Sequence, residues 1–459
     1  MSLATAVSPD VAERSCLGLD IYVPGRWDAP DSGVQLRPVL AWIHGGGFLR
    51  GATSQPLYRT AGEVAAQTGC VVVCIQYRLG IFGFFAAEEL RNEAIANGTG
   101  YGNYGLLDQI AAIEWIQSNC LAFGGDPERI TLFGESAGAA SIHYLLLYCP
   151  TLPIRRAILQ SGTSLRRPNS CSNNHDLYAH LLTVAPHPEK PPLDRFRAMS
   201  AGDLLRSVHD YEPNQGGPLA ALKWGPTVDK DVPNGLIRVN PMQALGVGVV
   251  NRRVDAIIVG DTEDEGRSFT AQESMAGQLT EGFRFGTGAA AEGAKRAGCR
   301  VYMYRFAGTI ENPRFAGSGA FHGVDIPYTF LHLIHLTPSE QDLARDLVRR
   351  WGDFAARGVP GEAWEEWNVA RRVWKFEPGR SRLVEAEEVA SAAVHAGGAV
   401  LGALGALGAG GVRGFMQNGA AGAPIGRGGL LEAIRSRNGV GAGAGWARGG
   451  RVGGHWGMR

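Results

Sequence analysis

The feature that most constrains this chain is the alternation of short apolar runs with helical patterns through its first two thirds. This alternation predicts a mainly parallel β-sheet with helices on both faces. Several runs are almost continuously hydrophobic, which is typical of strands that are covered on both sides. The predicted strands are residues 39–43, 70–78, 129–133, 154–160, 253–260 and 299–306.

Two segments carry strong helical patterns. In residues 106–123, apolar side chains recur at helical spacing between polar ones, which predicts a crossover helix between two strands. In residues 336–357, Thr337 can cap a helix and Pro338 suits its first turn. The fold class expected is therefore α/β.

Residues 164–235 break this alternation of strands and helices with turn-rich segments, and we expect them to form a cap or lid over the sheet. The composition changes again near residue 386. Residues 391–459 contain 22 glycines among 69 residues, which favours low-complexity disorder. The predicted organisation is an α/β domain over 1–385 and a tail over 386–459. The uncharged stretch 394–412 is too rich in glycine to favour a membrane span.

Composition argues against several classes of protein. The formal charge is zero, and residues 391–459 hold seven arginines against one glutamate, so the body shows no basic signature for nucleic acid. The seven scattered cysteines have no C-x-x-C spacing, and the sequence predicts neither a metal site nor a cofactor. Because the N-terminus has no apolar signal segment, we expect a cytoplasmic protein as written, or a secreted one if the true N-terminus lies upstream.

The segment Gly134–Gly138, "GESAG", lies between a predicted strand and a predicted helix. A G-x-S-x-G at such a corner predicts a nucleophile elbow, in which small neighbours permit a strained backbone that exposes the serine hydroxyl. Glycines also surround serines in ordinary turns, but the flanking strand and helix favour the catalytic interpretation. Ser136 is therefore the candidate nucleophile.

A serine nucleophile needs a base, an acid to orient the base, and donors for the oxyanion. The segment "IHGGGF" follows an early strand, and its glycines let backbone N–H groups approach a ligand closely. No P-loop lysine follows it, which argues against a phosphate site. Among eleven histidines, His322 stands in a loop beyond the last predicted strand, where a catalytic histidine is expected. The acid candidates are Asp261, Glu263, Asp264 and Glu265, and the residues alone do not choose among them.

Long stretches of the chain resemble the type B carboxylesterases, the α/β-hydrolase family that includes cholinesterases and fungal lipases. The matching segments run from about residue 12 to 375 and include "ERSCLGLDIYVP", "VLAWIHGGGF", "VVVCIQYRLGIFGF", "ITLFGESAGAAS", "DEGRSF" and "FHGVDIPYTF". The resemblance implies an α/β-hydrolase fold with a central, mostly parallel sheet and a cap insertion. It also implies a set of site residues: a triad of Ser136, Glu265 and His322, oxyanion donors at Gly46, Gly47 and Ala137, and a supporting carboxylate at Glu135.

The resemblance implies a serine hydrolase that cleaves carboxylic esters through an acyl-enzyme. Its expected partner is a small-molecule ester, without nucleic acid or a clear membrane association, and the sequence predicts no particular oligomeric state. Two departures stand out: only 57 residues separate Glu265 from His322, and Cys16 lacks the upstream disulfide partner usual in the family. The alternative is a catalytically impaired or silent relative that acts as a binding module, as neuroligins do.

Overall fold

The computed structural model describes residues 16–25, 35–165, 168–211, 224–245, 251–310, 318–368 and 371–385. Within these ranges one mixed sheet of nine strands runs in the order β1-β3-β2-β4-β5-β6-β7-β8-β9. The two outer pairs, β1 with β3 and β8 with β9, are antiparallel, and the other neighbours are parallel. The strands are β1 Leu19–Tyr22, β2 Arg37–Ile43, β3 Val71–Ile75, β4 Gly125–Glu135, β5 Arg156–Gln160, β6 Ala256–Thr262, β7 Arg300–Phe306, β8 Arg372–Phe376 and β9 Arg382–Glu385.

Helices connect the strands and cover the sheet. In the described residues they are α1 Ala61–Thr68, α2 Gly80–Phe84, α3 Glu88–Asn97, α4 Tyr104–Asn119, α5 Ala137–Tyr148, α6 His175–Val184, α7 Pro192–Arg197, α8 Ala201–Tyr211, α9 Pro241–Leu245, α10 Glu273–Arg296, α11 Ile326–Thr329 and α12 Pro338–Arg357. Helix α12 packs against α1 and the strands β2 and β4, and α5 packs against α4 and the strands β2, β4 and β5. The sheet is thus an α/β sheet with flanking helices.

One part of the core is an aromatic cluster around β2 and β4. Trp42 of β2 contacts the rings of Tyr58, Phe133 and Phe330, with centroids 4.8 to 5.5 Å apart. All four side chains are buried. Aromatic packing of this kind fixes the end of β4, from which the chain turns into α5.

The six strands predicted from sequence all occur, displaced by a few residues at their ends. The strands β1, β8 and β9 were not predicted because they are short and contain charged residues within their apolar patterns. The crossover helix is α4, followed by a 3-10 turn over Cys120–Phe123. Helix α12 begins after Thr337, whose backbone N–H donates to the Glu340 carboxylate in a capping box.

The described part of segment 164–235 contains α6, α7 and α8. Helix α6 packs against α7 and α8, and α7 also packs against α3. Arg197 of α7 pairs with Glu93 of α3 at 2.7 Å, so this segment rests on the main body through its helices. That it works as a cap stays a prediction, and the predicted tail 386–459 lies outside the described residues.

Candidate active site

Ser136 occupies the corner between β4 and α5. Its backbone has φ 55° and ψ −120°, a left-handed conformation that non-glycine residues rarely adopt. Its N–H donates to the carbonyl of Gln160 at 2.8 Å, which ties the corner to the end of β5. A Cβ at Gly138 would lie 1.9 Å from the carbonyl oxygen of Ile43, so only glycine lets α5 begin this close to β2. The Ser136 side chain does not cap α5, and its hydroxyl is left for other partners.

The glycine loop after β2 lies beside this corner. A Cβ on Gly45 would lie 3.1 Å from the Cβ of Ser136. Gly46 has φ +109°, and its carbonyl accepts the N–H of Arg50 at 3.1 Å, which closes the loop into a tight turn. The backbone of His44 is fixed by the Tyr77 hydroxyl, which donates to its carbonyl at 2.7 Å. Ala137 is the first residue of α5, and N–H groups at a helix start have no partner within the helix.

The four carboxylates at and just after the end of β6 lie in four different environments. Asp261 forms an ion pair with Arg305, and Glu263 pairs with Lys375 at 2.9 Å. Asp264 accepts the N–H of Ala320 at 3.2 Å through its side chain. Glu265 is fully buried, and its Oε2 lies 2.5 Å from Nδ1 of His322. Of the four candidates, Glu265 is therefore the one that the structure brings to His322.

The imidazole of His322 lies between two carboxylates. Opposite Glu265, its Nε2 lies 3.2 Å from Oε1 of Glu135, and its side chain is only 10 % exposed. The Ser268 hydroxyl donates to the His322 carbonyl at 3.0 Å and fixes the backbone of the loop. The Nδ1 contact is the one expected of a catalytic acid, which orients the ring and selects its tautomer.

The hydroxyl of Ser136 makes no hydrogen bond to His322 within the described residues, and the atom found near Nε2 is instead Oε1 of Glu135. Glu135 and Ser136 are consecutive, so the two acceptors that compete for Nε2 lie on neighbouring residues. Catalytic hydrogen bonds are often long or misaligned before a substrate binds. The structure thus brings Ser136, Glu135, Glu265 and His322 into one site and joins three of them by direct contacts.

Burial and the neighbouring carboxylates together set the pKa values of the groups in this site. Burial opposes a charge on His322, but Glu135 and Glu265 overcome this effect and raise its pKa to about 9. Burial raises the pKa of Glu135 to about 8, although the imidazolium of His322 opposes that shift. The two groups are in contact, so the charge on each shifts the pKa of the other.

A third buried carboxylate was missed by sequence reasoning. Asp325 is fully buried, three residues after His322, and its Oδ2 accepts the side-chain amide of Gln160 at 2.8 Å. Burial raises the pKa of Asp325 to about 6, and the charge of Glu265 adds to that shift. The available signal was a polar residue at the end of an apolar strand, Gln160, near which the loop bearing His322 returns.

Within the described residues, no group of three or more His, Cys, Asp or Glu side chains could hold a metal ion. No helix among them is both long and apolar enough to cross a membrane. None of the seven cysteines, which all lie in the described residues, forms a disulfide bond, and Cys16 is exposed.

Comparison with known proteins identifies relatives of this chain. Residues 4–281 match the carboxylesterase family. The para-nitrobenzyl esterase of Bacillus subtilis is 28% identical over 412 residues, which is 80% of this chain and 79% of that protein. The fumonisin B1 esterase of Sphingopyxis macrogoltabida is 31% identical over 409 residues, which is 76% of this chain and 69% of that protein.

Solved structures agree with these relatives. A Geobacillus stearothermophilus carboxylesterase superimposes with a TM-score of 0.66 at 29% identity, covering 86% of this chain and 89% of its own. A thermophilic para-nitrobenzyl esterase gives the same TM-score at 27% identity over 82% of each chain. Both have the α/β-hydrolase fold, and the sheet described above is of that type.

Proposed function

This chain belongs to the carboxylesterase family, as do the esterases named above, and we propose that it cleaves carboxylic esters through an acyl-enzyme formed on Ser136. The substrate is a small-molecule ester. Ser136 is the nucleophile, His322 the general base and Glu265 the acid that orients the base. The single observation that carries the proposal is the bond between buried Glu265 and Nδ1 of His322, beside a serine held at φ 55°.

The reaction has two halves. Ser136 Oγ attacks the ester carbonyl while His322 Nε2 takes its proton, and the alcohol then leaves with that proton. Water attacks the acyl-enzyme by the same route and releases the acid. The N–H groups of Gly46, Gly47 and Ala137 stabilise the oxyanion, and each such donor is worth about 3 kcal/mol of transition-state stabilisation.

Glu135 sets a condition on this mechanism. In the structure, Nε2 of His322 contacts the Glu135 carboxylate. Nε2 must contact the Ser136 hydroxyl instead before it can accept the hydroxyl proton. The mechanism therefore requires a movement of the ring or of the Ser136 side chain that brings Nε2 to the hydroxyl. Glu135 then remains as a nearby negative charge that stabilises the imidazolium formed during attack.

Ser136→Ala tests the assignment of the nucleophile. We expect it to abolish hydrolysis of a short-chain nitrophenyl ester and labelling by a fluorophosphonate probe, with an unchanged thermal transition. The matched control is Ser118→Ala, an exposed serine of α4 that should keep both activities. Turnover that persists in Ser136→Ala would reject the proposal. A folded wild type that takes up no probe would instead support a silent binding module.

A further inference from the structure

Helix α10 lies unusually close to the catalytic acid in the sequence and in space. It begins at Glu273, a short distance after the 3-10 turn that carries Glu265. The N–H of Gly266 donates to the hydroxyl of Thr280 at 3.0 Å, which locks the helix against that turn. Further along, a Cβ at Gly286 would lie 2.7 Å from the Thr163 hydroxyl, so α10 also reaches the loop after β5. The helix therefore forms one wall of the site.

This wall presents an aromatic side chain to the base. The ring of Phe283 lies 4.9 Å from the imidazole of His322, and the ring of Phe269 lies 5.0 Å from it. The two phenyl rings also stack on one another at 5.8 Å with planes 21° apart. Both residues are only partly buried, so each keeps some apolar surface outside this packing. We call Phe269 and Phe283 the phenyl pair.

The reaction determines which part of the substrate lies near the phenyl pair. When the tetrahedral intermediate collapses, the bond from carbon to the alcohol oxygen breaks and His322 Nε2 gives that oxygen its proton. The alcohol part of the ester must therefore lie next to His322, and the groups that flank this imidazole are close to the alcohol rather than to the acyl chain.

The chemistry of the surroundings limits the kind of alcohol. The phenyl pair offers aromatic surface, on which another ring packs favourably in offset or tilted geometry. Behind His322 lie the buried carboxylates of Glu135, Glu265 and Asp325, which disfavour an anionic group. The alcohol that fits best is neutral and aromatic.

We propose that Phe283, together with Phe269, forms a leaving-group subsite that selects esters of neutral aromatic alcohols. This inference rests on the proposed function, since it assumes that His322 protonates the leaving alcohol. Phe283 is then a specificity-determining residue. It lies on α10, the helix within the short interval between Glu265 and His322.

The test compares two acetate esters that share an acyl group and differ in their alcohol, benzyl acetate and propyl acetate. Both release a primary alcohol, so the ratio of their kcat/KM values reports recognition of the alcohol. We expect wild type to prefer benzyl acetate and Phe283→Leu to reduce that ratio by about threefold to tenfold, the effect of losing one aromatic pair. Phe283→Tyr keeps an aromatic ring and should keep the ratio.

Phe285→Leu is the matched control. Phe285 lies two residues further along α10, roughly 200° around the helix, and it is 38% exposed. This variant should leave the ratio unchanged. If Phe283→Leu does not fold, Phe269→Leu tests the same ratio from the other member of the phenyl pair.

The outcomes separate the subsite from the proposed function. An equal loss of activity on both esters in Phe283→Leu would overturn the subsite, because the ring would then only support His322. A wild type that takes up the fluorophosphonate probe but prefers neither ester would also overturn it and would leave the esterase mechanism intact. A wild type that takes up no probe would overturn both.

Discussion

Nε2 of His322 lies 3.2 Å from Oε1 of Glu135, although Ser136, the next residue along the chain, is the group whose proton it is proposed to take. With Glu265 on Nδ1, the imidazole has a carboxylate on each nitrogen. Two carboxylates stabilise the imidazolium strongly, and a protonated imidazole cannot serve as a base. Activity should therefore depend on how readily His322 loses its proton.

Glu135→Gln should extend activity to lower pH. Burial lowers the pKa of His322, whereas the Glu135 and Glu265 carboxylates raise it to about 9. Removing the charge of Glu135 moves the acid limb of the kcat/KM profile from near pH 9 toward the ordinary imidazole value of 6.5. The measurement is the pH profile of nitrophenyl ester hydrolysis.

Glu128→Gln is the control for this profile, because Glu128 is exposed and pairs with Arg253 far along the sheet from the site. Its acid limb should coincide with that of wild type. An acid limb that stays in place in Glu135→Gln would show that Glu135 does not govern the protonation of His322.

The same pair of groups should make the fold less stable as the pH rises above neutrality. The folded pKa of His322 is raised above 6.5 to about 9, so its stabilising charge is fully present below about 6.5 and lost as the pH approaches 9. Burial raises the pKa of Glu135 from 4.5 to about 8, so the folded state also keeps this proton where the unfolded chain has lost it. Both pKa shifts therefore lower the free energy of unfolding as the pH rises.

Differential scanning calorimetry between pH 6.5 and 9 measures this dependence. We expect the Tm of wild type to fall across that range and the fall to be smaller in Glu135→Gln. A Tm that rises with pH over this window would contradict the assigned proton positions.

Gly46→Ala should remove oxyanion stabilisation. Gly46 has φ +109°, and an added Cβ would lie 1.9 Å from the carbonyl oxygen of Arg50, so the loop must move. Displacing one donor lowers kcat by about 100-fold to 1,000-fold.

Gly69→Ala is the control, since Gly69 has φ +69° with nothing within 4 Å of an added Cβ. It should cost about 1 to 2 kcal/mol of stability and leave kcat unchanged. Equal kcat values for the two variants would argue against Gly46 as a donor.

Asp261→Asn should destabilise the protein through Arg305. The two side chains form a buried ion pair on the adjacent strands β6 and β7, and only 2% of Asp261 and 6% of Arg305 is exposed. Neutralising the carboxylate leaves a buried cation without its partner, which costs about 3 to 5 kcal/mol. Urea unfolding measures the loss.

A double variant, Asp261→Leu with Arg305→Met, removes both charges and should recover most of that stability. If it is less stable than Asp261→Asn, the pair contributes a favourable interaction that an apolar replacement cannot supply.

Much of the central sheet could be predicted from sequence because its strands are covered on both faces. Strand β3 is buried along its whole length and is apolar along its whole length, and β5 is apolar at its three central positions. The edge strands β1 and β9 have no such requirement. Their identity depends on pairing with β3 and β8, which is a tertiary property that a local pattern does not contain.

The residues of the candidate site also differ in how far a local sequence pattern predicts them. Ser136 and His322 could be selected from local patterns, a strand-to-helix corner and a loop after a strand. The acid could not be selected from the residues alone, because four carboxylates lie at or just after the end of β6 and the shape of one 3-10 turn decides which faces His322. Glu135 and His322 lie in segments that are far apart in the sequence, so no local pattern predicts their contact.

The chain order of the site has a consequence for synthesis on the ribosome. The elbow bearing Ser136 follows β4, whereas Glu265 and His322 follow β6 and β7. A nascent chain can therefore complete β4 with its parallel neighbour β2 long before His322 has been translated. Such long-range assembly is slow relative to local folding. On the proposed mechanism, Ser136 stays unreactive during elongation and gains its base only when the later strands join the sheet, so reactivity would mark the completion of the domain.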